Sequence, residues 1–330
     1  MVTLNFNSIR VLGLGIDLKL GISYRSQRSI PHYAAKDEII QIMKDILYEI
    51  IESPPVKVAS VLGIGIGDPG IVDEKQGISI LATQMKGWEN VLIKDIMESE
   101  FGYPFFLGSD TRCRLIAEKR LGAGRMKKDI LMVELSSGIG AGMMSEGRLF
   151  QGSKGSAGEL GHMMILENGL HCNCGSRGCL EAIASSMVII RKLQEAIKSG
   201  VTSSLSKACH GDISKIDISL ISQWVEDGDK LSLQIVEEAR RFIGEAIANA
   251  INLLSPEIVI LTGDLLVLGD YILNPIEGMV KRQALNYNTK NVLIVLAEVG
   301  EEAAAIGMAA VVLDKVFRIP ELRLQGENVV

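Results

Sequence analysis

Gly158-Glu159-Leu160-Gly161-His162, followed after a short spacer by Cys172-Asn173-Cys174-Gly175-Ser176-Arg177-Gly178-Cys179-Leu180-Glu181, is the densest run of chemically informative residues in the chain. Five cysteines are an odd set for a secreted disulfide framework, and three of them fall in this segment. His162, Cys172, Cys174 and Cys179 supply one imidazole and three sulfurs, the ligand set of a closed tetrahedral structural zinc site. Gly175 and Gly178 let a tight loop turn around an ion. The competing reading is three buried free thiols, since cysteine is among the most often buried residue types. A glycine-punctuated loop fills a core poorly, which favours metal. His171, next to Cys172, is a rival for the fourth ligand position.

Outward from this loop, strands and helices alternate. Residues 11–17 are β-rich, with 20–24 as a hairpin partner. Ile39, Ile40, Met43, Ile46, Leu47, Ile50 and Ile51 recur at intervals of three and four, which predicts a helix over 36–52 that Pro54 and Pro55 stop. An apolar strand over 56–66 runs into a turn at 67–70, and helix 95–101, strand 104–107 and helix 111–120 follow. A second β-rich block, 130–135, turns through the glycines of 136–142 into 143–150, repeating the opening plan. Beyond the cysteine loop the pattern gives helices at 181–198, 218–225 and 230–254, strand 258–262, helix 271–284, strand 292–297 and helix 301–317. Residues 209–217 are polar and unpatterned, and the tail after Ile319 is expected to fray. Two α/β halves result.

At 330 residues the chain is two domains long by the ~150-residue prior and needs no covalent staples to bury a core. Its 47% hydrophobic and 22% charged content is that of an ordinary globular protein. A formal charge of -6 gives no field to attract a polyanion, which disfavours a stand-alone nucleic-acid binder. Residues 1–7 lack the features of a signal peptide, and no apolar run reaches the ~18 residues needed to span a bilayer. A cytoplasmic protein with no membrane partner is expected.

The two pieces of the loop, with their spacing, resemble the signature of the ROK family (repressors, open reading frames, sugar kinases). The resemblance continues through 65–73, Gly87-Trp88, Asp110, Leu121-Gly122-Ala123-Gly124-Arg125 and the glycines of 138–142. It implies an α/β, two-lobed ribonuclease-H-like fold of the actin, hexokinase and Hsp70 ATPase type, with a zinc-binding loop and a sugar cleft between the lobes. The lobes are expected at 1–108 plus 303–330 and at 109–302, and the protein as a homodimer.

The same resemblance places Gln84, Ser109, Asp110, Glu159, His162 and Glu181 against a sugar, whose hydroxyls both donate and accept hydrogen bonds. Bound zinc would steady the loop that carries two of them. Asp110 would be the general base of a kinase, taking the proton of the attacking hydroxyl; on propensity alone it caps the helix that follows, and the two roles are compatible. Ser109 stands where the family usually has Asn, and Gln84 where Asn often precedes the Gly-Trp pair, which alters the donor pattern offered to the sugar.

ATP phosphates need backbone N–H groups brought close by glycines, normally from two hairpin turns. Ser137, Gly138 and Gly140 belong to the second such turn, and Gly263 to an adenosine-side turn whose plainer reading is an ordinary strand end. For the first turn, kinases of the family resemble Asp-x-Gly-Gly-Thr where this chain reads Asp17-Leu18-Lys19-Leu20-Gly21, and leucine side chains bar close backbone approach. The opening Leu4-Asn5-Phe6-Asn7-Ser8-Ile9-Arg10-Val11 resembles the linker strand after the winged-helix domain of the family's repressors. The expectation is therefore a regulator-branch protein reduced to its sugar-sensing module. It has a small-molecule sugar as partner, structural Zn2+, a degenerate ATP site and no direct DNA binding by this chain. ATP and Mg2+ enter only with the alternative, an ATP-dependent, glucokinase-like hexose or N-acetylhexosamine kinase.

Overall fold

Val2–Phe6 (β1) and Arg10–Ile16 (β2), in which Val2, Leu4, Phe6, Val11, Leu12, Leu14 and Ile16 supply the apolar side chains, pair antiparallel with Val2 opposite Gly15 and are buried along almost their whole length. The computed structural model describes residues 1–31, 34–56, 61–204, 212–290 and 292–317. From β2 the chain runs through β3 (Ile22–Ser29), α1 (Lys36–Glu52) and β4 (Ile64–Asp68). A small antiparallel sheet follows, made of β5 (Ile71–Asp73), β6 (Ile78–Leu81) and β7 (Glu89–Val91), then α2 (Ile93–Phe101), β8 (Phe105–Ser109) and α3 (Asp110–Leu121). The main sheet has the order β3-β2-β1-β4-β8, with β4 parallel to both β1 and β8. Ile39, Met43, Ile46, Leu47 and Ile50 of α1 bury against it, and Phe6 meets Trp88 at a ring-centroid distance of 5.1 Å.

The second half repeats the plan. It contains β9 (Ile130–Leu135), β10 (Ile139–Ser145), β11 (Arg148–Leu149), α4 (Leu180–Ala184), α5 (Ser186–Lys198), α6 (Ile218–Glu226) and α7 (Lys230–Leu254). β12 (Ile258–Thr262), α8 (Asp270–Gln283), α9 (Asn286–Thr289), β13 (Leu293–Leu296) and α10 (Ala303–Val316) complete it. The sheet order is β11-β10-β9-β12-β13, again an antiparallel trio followed by two parallel strands. Phe242, Ile243, Ile247 and Ile251 of α7 bury against Val133, Val259 and Leu261. No helix among the described residues is long and apolar enough to cross a membrane.

α3 and α10 join the halves. Cys113 and Ala117 on α3 pack with Ala305, Met308, Ala309 and Val312 on α10, which lies against Leu12 and Leu14 of the first sheet. The other side of α3 presents Leu115 to Ile130, Met132 and Ile260 of the second sheet.

Several sequence expectations change. The opening segment is no continuous linker strand: β1 ends at Phe6, the chain turns at residues 7–9, and β1 lies at the centre of its sheet. The strand expected at 56–66 is confined to Ile64–Asp68, and 57–60 lie outside the described residues, as do 209–211 and the tail after Ile319. The helix expected over 181–198 breaks at Ser185, which is extended (ψ 158°). The strands β5 to β7 were not legible, because each is only three or four residues long.

The helix crossing depends on Gly307. A Cβ there would stand 1.7 Å from the carbonyl oxygen of Cys113, a backbone atom that cannot swing aside. Gly307→Ala is expected to destabilise the protein by about 1–3 kcal/mol through forced helix separation, despite a gain of roughly 1 kcal/mol in helix propensity. Urea unfolding midpoints measure this, and an unchanged or raised midpoint contradicts the close crossing.

Candidate functional site

The C-terminal ends of β4, β8, β12 and β13 open on one cleft of about 650 Å3, where open α/β sheets place their ligands. Its lining includes Gln84, Ser109, Asp110, Glu159, His162 and Glu181, and also Ser137, Gly138, Gly140 and Gly263.

Glu159 and His162 reach the cleft because the segment carrying them lies flush on β10. A Cβ at Gly158 would sit 2.0 Å from the carbonyl oxygen of Ala141, and one at Gly161 2.1 Å from that of Ile139. With glycine at both positions, the Ala141 N–H donates to the Gly158 carbonyl at 2.8 Å. Glu181, in the first turn of α4, accepts the Ile139 N–H through Oε2 at 3.0 Å. Across the cleft, Ser137 Oγ donates to Gln84 Oε1 at 2.9 Å and ties the two halves together.

Asp110 is buried at the start of α3 and does not cap it: the cap position is Ser109, and Asp110 Oδ1 accepts only the adjacent Thr111 N–H, at 2.7 Å, among backbone donors. Thr111 Oγ1 donates to Glu134 Oε2 at 2.7 Å, and Arg114 Nε lies 3.5 Å from Glu134 Oε1. Burial, and then the charge of Glu134, push the Asp110 carboxyl up to about 8. Asp68, opposite Ser109 on the neighbouring strand, is pushed up to about 6 by its own burial. Burial also raises the Glu159 carboxyl, opposed by His162 and Arg112.

The ligand atoms of His162, Cys172, Cys174 and Cys179 all lie within 4.8 Å of one another, so the four could hold one metal ion. Cys174 Sγ and Cys179 Sγ are 3.7 Å apart, and Cys172 Sγ is 3.7 Å from His162 Nδ1. Tetrahedral bonds of about 2.3 Å would set sulfurs roughly 3.8 Å apart, so the donor set fits zinc in spacing as well as kind. His171 is no part of this cluster; its Nε2 faces Arg177 at 2.5 Å. His162 has two sides: Nδ1 faces the sulfurs, while Nε2 lies 3.8 Å from Glu159 Oε2 on the cleft side.

The first phosphate turn is not where the sequence put it. The two sheets share one plan, so the counterpart of the β9–β10 turn is the β1–β2 turn, and Asn7, Ser8 and Ile9 line the cleft. Asp17 to Gly21 form the turn at the opposite end of β2, where Asp17 Oδ1 accepts the N–H groups of Lys19 and Gly21 at 2.8 Å. Sequence reasoning also missed Arg112, Arg114 and Glu134. Of these, Glu134 left a signal, a lone acid within the apolar Ile130–Leu135.

The family model described as ROK family matches residues 15–315. A putative xylose repressor of Caldicellulosiruptor sp. (strain Rt8B.4) is 28% identical over 324 residues, 94% of this chain and 80% of that protein. The glucokinase of Thermotoga maritima is 30% identical over 281 residues, 85% of this chain and 87% of that enzyme. The crystal structure of a ROK family glucokinase from Streptomyces griseus with glucose and AMPPNP superposes with a TM-score of 0.81 at 24% identity, covering 94% of this chain and 98% of that one. Its likeness fixes the fold: two lobes of the actin and hexokinase kind.

A carboxyl raised to about 8 in the folded protein binds a proton that the unfolded chain, titrating near 3.8, has lost. Asp110 therefore subtracts stability progressively as pH rises from about 4 to about 8. Asp110→Asn mimics the protonated form and is expected to match the wild type near pH 4 and to exceed it by a widening margin up to pH 8. Unfolding free energies across that range test this, and a constant difference overturns it.

Proposed function

The chain belongs to the ROK family, and from that premise we propose that it is a sugar-sensing module of the regulator type, zinc-stabilised and with little or no phosphoryl-transfer activity. The supporting observation is the β1–β2 turn. It holds no glycine, and Asn7 Oδ1 accepts the N–H groups of Ile9 at 2.9 Å and Arg10 at 3.0 Å, donors that a phosphate would otherwise use. In the opposing turn the Ser136 N–H is spent on the Gly138 carbonyl and the Ile139 N–H on Glu181. Phosphoryl transfer rests almost wholly on positioning and electrostatic stabilisation of the phosphates, which the β1–β2 turn supplies poorly. Gln84, Ser109, Asp110, Glu159, His162 and Glu181 meanwhile present the mixed donors and acceptors that a hexose needs.

Zinc in this reading is held by His162 Nδ1 and the three thiolates, and its work is to order the loop between Glu159 and Glu181. The assignment extends to lobes at 1–108 plus 303–330 and 109–302, a cytoplasmic location and a homodimer. The second reading, an ATP-dependent hexose or N-acetylhexosamine kinase, is favoured by Asp110 itself: a carboxyl near 8 at the cleft is suited to general-base work near neutral pH.

Calorimetric titration with hexoses, N-acetylhexosamines and xylose should find a ligand among them, and binding by none counts against the proposal. A coupled ATP-consumption assay over the same sugars should detect no turnover. Turnover that Asp110→Ala abolishes would establish the kinase. Elemental analysis of protein prepared with ample metal should find one zinc per chain, and Cys174→Ser should weaken sugar binding by about 10–100-fold while leaving helix content nearly intact.

A further inference from the structure

The reading above leaves half of the cleft without an occupant, the half bounded by the ends of β12 and β13 and by the β1–β2 turn. We infer that this half is a second sugar subsite and that the ligand is a neutral disaccharide or longer oligosaccharide spanning both halves. The inference rests on the sugar-binding reading of the first half.

Size is the first argument. Covalently bonded sugar atoms each take about half of the roughly 30 Å3 share of a liquid water, so a hexose fills about 180 Å3 and a disaccharide about 350 Å3, and a monosaccharide leaves most of the space empty. The cleft is one continuous space of about 650 Å3. It runs across the second sheet from β10 to β13, three interstrand spacings or about 14 Å.

Chemistry is the second. Among the described residues, every arginine lining the cleft is already paired, Arg10 with Glu301, Arg112 with Glu74 and Arg114 with Glu134. With Asp264 added, the far half has no surplus positive charge with which to hold a triphosphate. Its polar lining is the Thr262 hydroxyl and the Asp264 carboxyl, which the Ser186 hydroxyl (2.9 Å) and Ser136 hold in place, beside the apolar Leu266 and Ala297. Hydroxyls and carboxyls suit a sugar's edge, and apolar side chains suit its C–H faces. The polar groups form a row between the halves: Thr111 links Asp110 to Glu134, and Glu134 sits opposite Thr262 on β12.

Calorimetry on the full chain, comparing each monosaccharide that binds with its α- and β-linked disaccharides and with ATP, tests the inference. The expected result is a disaccharide at least tenfold tighter than its monosaccharide. Ala297→Phe, which fills the far half, should reduce disaccharide affinity to that of the monosaccharide and leave the latter unchanged. Thr262→Val, which removes a hydroxyl without adding bulk, should cost the disaccharide several-fold and the monosaccharide nothing. Equal affinities, or ATP bound alongside a monosaccharide, overturn the second subsite while leaving the sugar-binding proposal standing. Binding of no sugar overturns both.

Discussion

The contact of Gly307 with the carbonyl of Cys113 is the constraint on which the rest of the molecule depends. α10 follows the second sheet yet lies on the first, and α3 follows the first yet lies on the second, so each half is held by the helix of the other. Three residues before Cys113, the same helix begins with Asp110, and just ahead of α10 stand Glu301 and Glu302, paired with Arg10 and Arg25. A shift at the crossing would thus move the cleft floor and the β2 anchor together. The alanine-rich face of α10 is what this geometry requires, because larger side chains would hold the helices apart.

Much of this was legible in the sequence, for identifiable reasons. The isoleucines of α1 recur at helical spacing, and the cysteine loop carries its chemistry in residue types and intervals that need no fold to be read. The break at Ser185 was not legible, because it is imposed from elsewhere: the Ser186 N–H bonds the Ser136 carbonyl at 2.9 Å, which pulls the chain out of helical register. The role of Asn7 was hidden for a similar reason. Its neighbours have no distinctive composition, and only the shared strand plan of the two sheets makes its turn the partner of the glycine turn at 136–142. The misplacement of that turn at Asp17 arose from reading β2 as the first strand of the sheet when it is the second.

Most polar groups in the cleft are already engaged with one another. Ser137 holds Gln84, Glu181 holds the Ile139 amide, and Thr111 spans Asp110 and Glu134. Such a network fixes side-chain directions before any ligand arrives, which lowers the ordering cost of binding a polar molecule. It also explains why a lone acid in an apolar strand is tolerated: Glu134 is bonded by Thr111 and approached by Arg114, so its burial is compensated.

The two faces of the His162 ring have a consequence of their own. An ion held through Nδ1 forces the remaining proton onto Nε2, the nitrogen that looks toward Glu159 and the cleft. The loop's metal and the cleft's ligand would then address one imidazole from opposite sides, and thermodynamic reciprocity requires that whatever factor the metal adds to ligand affinity, the ligand returns to metal affinity. A saturated cleft would accordingly hold a larger share of its ion at equilibrium with a chelator, so that occupancy of the one becomes a record of the other.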